Sequence, residues 1–387
     1  MPPRYAIGRR ELHQIIRCIW HYRRQGLDPG YDGVFEAEFT KNFSEYQGGG
    51  FTDAVSSGTA SLYVALKSLG LPRGSLVATS PVTDASVIGV IHEQGHVPYL
   101  LDAAPGSYNV SVEQLQHRYR PEIKAFILTH AAGEPSDPIR ISKFCADNDV
   151  VLIEDCSQAM GAHPAESRMK VGNYGAFGCF STMYRKNLSV SGSSGLVFTR
   201  DEQLYRLAKQ HADRGKKWWD KDLVDMRDPG FADFPGLNWN SDELRCAIGL
   251  ANLERLDATN ERRRAFLRGL IAELSSAEFD VYRPYSYHDG FSPFYFPVIV
   301  DQYRITVSVD DFARAIQAEG IGLGVRYGCL VSTWLWAKSV MFDSFVSENA
   351  LDTRNSCFHL YINENYGRRE LNDILAAFSK VAKIFGR

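Results

Sequence analysis

Between about residue 50 and residue 200 the chain alternates short apolar runs with amphipathic helical patterns, and this restricts it to few folds. The runs SLVATSPV, HVPYLL, KAFILTHA, VVLIEDC, AFGCFST and GLVFT are five to eight residues long. They read as strands buried on both faces. Between several of them lie TASLYVALKSLG, DASVIGVIHEQG, SVEQLQHRY and PIRISKFCADND, whose apolar spacing predicts helices. Such alternation predicts an α/β fold with a mainly parallel sheet covered on both faces. Ligands of such sheets bind at the carboxyl ends of the strands, so chemistry is sought just after the apolar runs.

Downstream, residues 201–213 and 242–258 read as helices. The irregular stretch GKKWWDKDLVDMRDPGFADFPGLNWN lies between them, and loops of that length are often functional. After about residue 260 the texture becomes helix, strand (FYFPVIV), helix (SVDDFARAIQAEG), another strand and a last amphipathic helix, RRELNDILAAFSKVAKIF. With 387 residues the chain exceeds one small core. The expected division is a helical segment over 1–45 that packs on either unit, a large unit over 46–258 and a smaller α+β unit over 259–387.

Hydrophobic residues make up 44% and charged residues 23%, with a formal net charge of −3. This is ordinary for a soluble enzyme and lacks the basic footprint that nucleic acid or anionic membrane selects. The start has no apolar leader, and no window approaches the roughly 18 apolar residues of a spanning helix. The seven cysteines are dispersed, never in C-x-x-C spacing, which predicts buried free thiols in a reducing cytoplasm. The ten histidines show neither H-x-x-x-H nor H-E-x-x-H spacing, so no metal site is expected. GIGLGVRYG (320–328) lacks the context of a dinucleotide fingerprint and reads as a turn; no G-x-S-x-G elbow occurs.

Four stretches carry chemistry. In VSSGTASLYVAL, Ser57, Gly58 and Thr59 open a helix, offering free N–H groups and hydroxyls to an anion; a plain N-cap explains the same residues. In VVLIEDCSQAMGA a strand runs into Glu154 and Asp155, with Gln158 close behind. A buried carboxylate there needs a cation or hydrogen-bond donors, whether for structure or for function. In STMYRKNLSVSGSSG, Arg185 and Lys186 follow a strand; in GLNWNSDELRCAIGLANLERLD, Asn238 and Asn240 precede a helix.

In this order the stretches resemble fold-type I pyridoxal-phosphate enzymes, specifically the DegT/DnrJ/EryC1/StrS group of sugar aminotransferases. The carrying motifs are S-G-T-A-x-L (Ser57 to Leu62), H-x-x-G (His130 to Gly133), E-D-x-x-Q-A-x-G-A (Glu154 to Ala162), F-S-x-x-x-x-K-N-L (Phe180 to Leu188) and the Asn238–Asn240 segment. The resemblance covers about residues 50–260, with a weaker match beyond. It implies a large cofactor domain with a mainly parallel sheet and a smaller C-terminal α+β domain.

It also implies roles. Lys186 bonds pyridoxal 5′-phosphate covalently and moves the reacting proton, while Asp155 keeps the pyridinium nitrogen protonated. Gln158 meets the phenolic oxygen, and Ser57, Gly58, Thr59 and Ser181 hold the phosphate. Asn238 reaches the phosphate site of a neighbouring subunit, which implies a homodimer with shared sites. Where the resemblance implies an aromatic ring over the pyridine, this chain has Asp84; where it implies a G-D/E-G-G turn, the chain reads Gly192-Ser193-Ser194-Gly195. The implied reaction is transfer of an amino group from glutamate or glutamine to a keto group of a nucleotide-linked deoxysugar. A cyclitol ketone or free sugar acid is the alternative acceptor. The group's sugar dehydratases carry histidine in place of Lys186, and a catalytically silent cofactor-binding regulator is the remaining reading. Lys216, Lys217, Trp218 and Trp219 either meet the nucleotide or form a surface loop with a buried Trp.

Overall fold

The computed structural model describes residues 3, 4, 6–219, 226–276 and 279–387. Helices α1 (Arg9–Arg23) and α2 (Val34–Tyr46) lead into strand β1 (Phe51–Val55) and helix α3 (Gly58–Ser68). The alternation continues through β2 (Leu76–Thr79), α4 (Ala85–Glu93), β3 (Val97–Leu100), α5 (Val112–Arg118), β4 (Ile123–Thr129), α6 (Pro138–Asp147) and β5 (Val151–Asp155). Strands β6 (Phe177–Ser181) and β7 (Gly195–Thr199) follow, then α7 (Glu202–Ala212).

These seven strands form one sheet in the order β1-β7-β6-β5-β4-β2-β3. The five strands from β6 to β3 are parallel; β7 runs against them, and β1, antiparallel to β7, forms the edge in the same direction as the five. All six apolar runs found in the sequence are strands of this sheet. β1, FTDAV, was missed because Thr52 and Asp53 break its apolar run, although both are buried. Gly48, Gly49 and Gly50 all take positive φ in the turn before it (89°, 95° and 118°), a path open to glycine at little cost.

One expected helix is two. The reading over 242–258 becomes α8 (Glu243–Glu254) and the start of α9 (Leu256–Leu274). Arg255 breaks the helix with φ −106° and ψ 3°, a one-residue interruption that apolar periodicity does not register. Helices α1 and α2 pack on α8, where Cys18, Phe35, Phe39 and Phe43 share a core with Cys246, Ala247 and Leu250. Gly249 makes this approach possible, because a Cβ there would lie 2.6 Å from the Phe39 ring.

The remaining chain builds a second, antiparallel sheet from β8 (Tyr282–Pro284), β9 (Tyr295–Val300), β10 (Leu323–Gly324) and β11 (Cys357–Tyr361), in the order β10-β11-β9-β8. Helices α9, α10 (Val309–Ala318) and α12 (Arg368–Phe385) pack with it over a core that includes Leu270, Phe312 and Phe378; α11 (Glu348–Asn355) leads into β11. GIGLGVRYG is thus more than a turn: Leu323 and Gly324 are β10. Past β10 the chain crosses back to the first sheet, where Val82 and Leu330 form a bridge and the Thr83 N–H donates to the Cys329 carbonyl at 3.1 Å.

Candidate active site

The chain segments after β2, β5 and β6, together with the first turn of α3, converge on a cavity of about 370 Å³. Its wall includes Ser57, Gly58, Thr59, Asp84, Asp155, Gln158, Ser181 and Lys186, eight of the nine residues singled out from the sequence. A pocket of this size suits a small cofactor with a few placed polar groups.

Local chemistry explains each placement. Ser57 is extended (φ −166°, ψ 167°), and its Oγ accepts the Ala60 N–H at 3.0 Å. This caps α3 and leaves the N–H groups of its first turn facing the cavity. Gly58 is required by proximity: a Cβ there would stand 2.7 Å from the Ser181 Cβ. The helix start and the end of β6 thereby leave open a cradle rich in donors, which is what a phosphate takes.

Asp155 ends β5 and is buried, its Oδ1 accepting the Ser157 N–H at 3.1 Å. Burial raises its pKa, against the opposing pull of Ser157 and Lys186. Burial lowers the Lys186 amine, opposed by Asp155, Asp84 and Cys329. Burial displaces both groups toward their neutral forms, and the charge of each opposes that displacement in the other. The Lys186 Nζ lies 4.6 Å from the centre of the Phe294 ring, which shields it on one side.

Gln158 has a fixed amide. Its Oε1 accepts the Ala132 N–H at 3.0 Å, and its Nε2 donates to the Tyr327 hydroxyl at 3.0 Å. With the oxygen committed, the amide faces the cavity as a donor. Asp84 caps α4, its Oδ1 accepting the Ser86 N–H at 2.9 Å, and is otherwise exposed at the cavity wall.

Sequence reasoning missed Phe294, Tyr327 and Cys329, which also line the cavity. They come from the second half of the chain: Tyr327 and Cys329 arrive through the bridge of Val82 with Leu330, which no local spacing shows, and Phe294 directly precedes β9. Burial raises the Tyr327 hydroxyl and the Cys329 thiol, so both are neutral donors at neutral pH. Of the seven free cysteines only Cys329 is not fully buried.

Asn238 is the one candidate outside the cavity wall. It is exposed, and its Oδ1 accepts the Asn240 N–H at 3.2 Å. Its segment nonetheless borders the phosphate cradle: Val55 pairs with Asn240, and the Ser56 N–H donates to the Trp239 carbonyl at 2.6 Å. The 216–219 segment lies elsewhere in the chain, outside the cavity wall. Lys216 pairs with Asp213 at 2.6 Å, Lys217 with Asp233 at 3.1 Å, and Trp218 packs on Tyr205. Residues 220–225 of the same irregular stretch fall outside the described residues.

Glu154, the acid beside Asp155, is structural. Its two oxygens accept N–H groups of Gly172, Tyr174 and Gly175, and His130 donates to it from Nε2 at 3.0 Å. The His130 Nδ1 accepts the Ser136 N–H at 2.9 Å, which settles the tautomer. His130, Glu154 and Cys156 therefore stand within 4.8 Å of one another as a satisfied knot. A larger groove of about 830 Å³ beside α1 and α2 holds neither a lysine nor a strand-end carboxylate. Among the described residues no helix is long and apolar enough to cross a membrane.

The model of the DegT/DnrJ/EryC1/StrS aminotransferase family matches residues 28–379. The L-glutamine:2-deoxy-scyllo-inosose aminotransferase of Micromonospora echinospora is 32% identical over 251 residues, covering 64% of this chain and 59% of that protein. The GDP-perosamine synthase of Vibrio cholerae is 28% identical over 269 residues, covering 68% and 69%. The structure of NtdA from Bacillus subtilis with bound cofactor PMP superposes with a TM-score of 0.84 at 20% identity, over 99% of this chain and 85% of that one.

Proposed function

Since the chain belongs to the DegT/DnrJ/EryC1/StrS aminotransferase family, we propose that it moves an amino group from glutamate or glutamine to a keto group of a nucleotide-linked deoxysugar. As a pyridoxal-phosphate-dependent aminotransferase of a sugar aminotransferase family, it needs a site for a phosphate, a pyridine nitrogen and a reactive amine. The residues present fit that group. The donor-rich cradle of Ser57, Gly58, Thr59 and Ser181 takes the phosphate, Asp155 the ring nitrogen and the Gln158 Nε2 the phenolic oxygen. The cofactor, when bound, is an electron sink for charge developing on the substrate carbon.

The protein's own groups do the rest. Lys186, with its amine lowered by burial, is the nucleophile and takes the proton from the donor's α-carbon through Nζ. Asp155 balances a positive charge at the carboxyl end of β5, and Phe294 keeps water from the amine. The observation that carries this reading is the convergence of Lys186 and Asp155, from the ends of neighbouring strands, on one cavity with the cradle. Asn238 completes the cradle of a second copy in a cytoplasmic homodimer, and the large unit over 46–258 bears most of the site, with Phe294, Tyr327 and Cys329 added from the smaller unit. The relative named GDP-perosamine synthase supports a nucleotide sugar as acceptor.

A cyclitol ketone is the second reading. It is favoured by the Micromonospora relative and by Asp84, a carboxylate at the cavity wall that suits a neutral polyol better than a diphosphate. The test loads the holoenzyme with amino donor, presents nucleotide ketosugars and cyclitol ketones in turn, and follows the cofactor absorbance. Turnover of a nucleotide ketosugar supports the first reading, and turnover of cyclitol ketones alone replaces it with the second. A spectrum indifferent to every donor contradicts both.

A further inference from the structure

The backbone of the reactive lysine is gripped from below by an arginine near the start of the chain, outside the stretch that matches the family. The Arg4 guanidinium donates through Nη1 to the Lys186 carbonyl and through Nη2 to the Asn187 carbonyl, the latter at 2.7 Å. Its Nε donates to Glu364 Oε1 at 3.0 Å. Glu364 also holds Arg263, which is 1% exposed and donates to Glu364 Oε2 from Nε at 3.1 Å and from Nη2 at 2.7 Å. The third Arg263 nitrogen, Nη1, closes a ring of contacts by donating to Asn187 Oδ1 at 2.6 Å. The Asn187 Nδ2 in turn donates to Asn260 Oδ1 and Ser292 Oγ, both at 2.9 Å.

The peptide after Lys186 is thus held on its carbonyls by one arginine and on the next side chain by another, with one carboxylate tying the two together. Burial alone would raise the Glu364 carboxyl, but Arg263 and Arg4 bring it down to about 2, so the tie stays ionised near neutral pH. The segment carrying Arg4 is anchored too. The Asn365 Nδ2 donates to the carbonyls of Pro3 and Arg4 at 3.0 and 2.9 Å, and Arg255 Nη2 donates to the Ala6 carbonyl at 2.7 Å. Arg4 lies before residues 28–379, the part that matches the family model.

We propose that Arg4 is a positioning residue for the reaction: its fork across two successive carbonyls fixes the peptide plane after Lys186 and thereby the direction of the amine. The inference rests on the reading of Lys186 as the reactive amine. A guanidinium spans two carbonyls and a carboxylate at once, whereas an ammonium is a point donor without the fork. Loosening this plane moves the far end of the lysine, and a shift of about 1 Å at a reacting atom costs on the order of 10²-fold in rate.

The test uses the full chain with Arg4→Ala, Arg4→Lys and, as control, Arg9→Ala at the exposed start of α1. Each is mixed with pyridoxal phosphate, quenched with borohydride at successive times, and the labelled Lys186 peptide is quantified by mass spectrometry. Steady-state kinetics and thermal unfolding are measured in parallel. Both Arg4 variants should label Lys186 about tenfold or more slowly and lose a similar factor in kcat, with the donor KM within about twofold and an unchanged melting temperature. Arg9→Ala should match the parent. Parent-like labelling and kcat in Arg4→Ala overturn the proposal. So does full recovery in Arg4→Lys, which would show that charge suffices, or a loss that tracks the unfolded fraction. Should Arg4→Ala fail to fold, Arg4→Lys decides alone. Absence of label on Lys186 in the parent overturns the reading of Lys186 as well, so the two failures are distinct.

Discussion

Lys186 and Lys209 each stand beside a buried carboxyl group, and their surroundings treat them in opposite ways. At the cavity, Lys186 faces Asp155 across the ends of β6 and β5, and burial lowers its amine. At the far edge of the same sheet, Lys209 lies 2.7 Å from Asp32 and 3.9 Å from Asp53. Burial works against its charge there too, but Asp53, Tyr205 and Asp32 more than reverse the effect and raise its pKa. Two carboxylates pull on each lysine, and the difference is their closeness, with Lys209 holding both of its partners within 4 Å. A lysine tied by two carboxylates is a structural cation; one that burial outweighs is free to react. A buried Lys–Asp pair in a sequence therefore has no meaning until its other neighbours are known.

The largest test of that contrast is Lys186→Ala. Transamination should fall by at least about 10⁴-fold in steady-state assays, since both nucleophile and proton carrier are removed. Asp155→Asn comes next, with kcat expected to drop roughly 10²- to 10³-fold as the strand-end charge is lost. Gly58→Ala puts a Cβ 2.7 Å from the Ser181 Cβ, and cofactor affinity by absorbance titration should weaken about tenfold, or about 1.4 kcal/mol.

Lys209→Met tests the other side. It strands Asp53 without its cation and should cost about 3 kcal/mol in denaturant unfolding while leaving kcat as in the parent. A loss of kcat with intact stability would erase the distinction between the two lysines.

The smallest effect is a pH slope beside Lys209. Burial, then Asp53, raises the Glu36 carboxyl to about 8. A group that binds its proton more tightly when folded stabilises fully below its unfolded value, and that contribution is lost as pH rises through the folded value. The unfolding midpoint should thus decline from about pH 4.5 to about pH 8. Glu36→Gln should flatten the decline, leaving only the part due to Asp53, whose carboxyl burial also raises. An unchanged slope would mean that Glu36 does not titrate in this range.

Much of this was legible in the sequence because its causes are local. The apolar runs announce the parallel strands, the last helix spans Arg368–Phe385 as its periodicity predicts, and Ser57, Asp155, Ser181 and Lys186 sit where strand ends meet turns. What escaped depends on distant chain. Phe294 and Tyr327 reach the cavity only through the second sheet, and Arg4 reaches Lys186 across nearly half the molecule's sequence. Strand β1 hid because its buried Thr52 and Asp53 find partners, Thr52 with Ser44 at 2.7 Å and Asp53 with Lys209. Polarity in a strand reads as exposure until those partners are visible. Glu154 shows the converse: it shares the strand end with Asp155, and the ring of N–H groups around it reveals a structural carboxylate.

The central claim is that Lys186 is the amine that holds the cofactor. The most direct measurement reduces the holoenzyme with borohydride, digests it and locates the cofactor mass by peptide sequencing. The account predicts the label on Lys186 and its disappearance in Lys186→Ala. A label on any other lysine, or one that survives in Lys186→Ala, would contradict it.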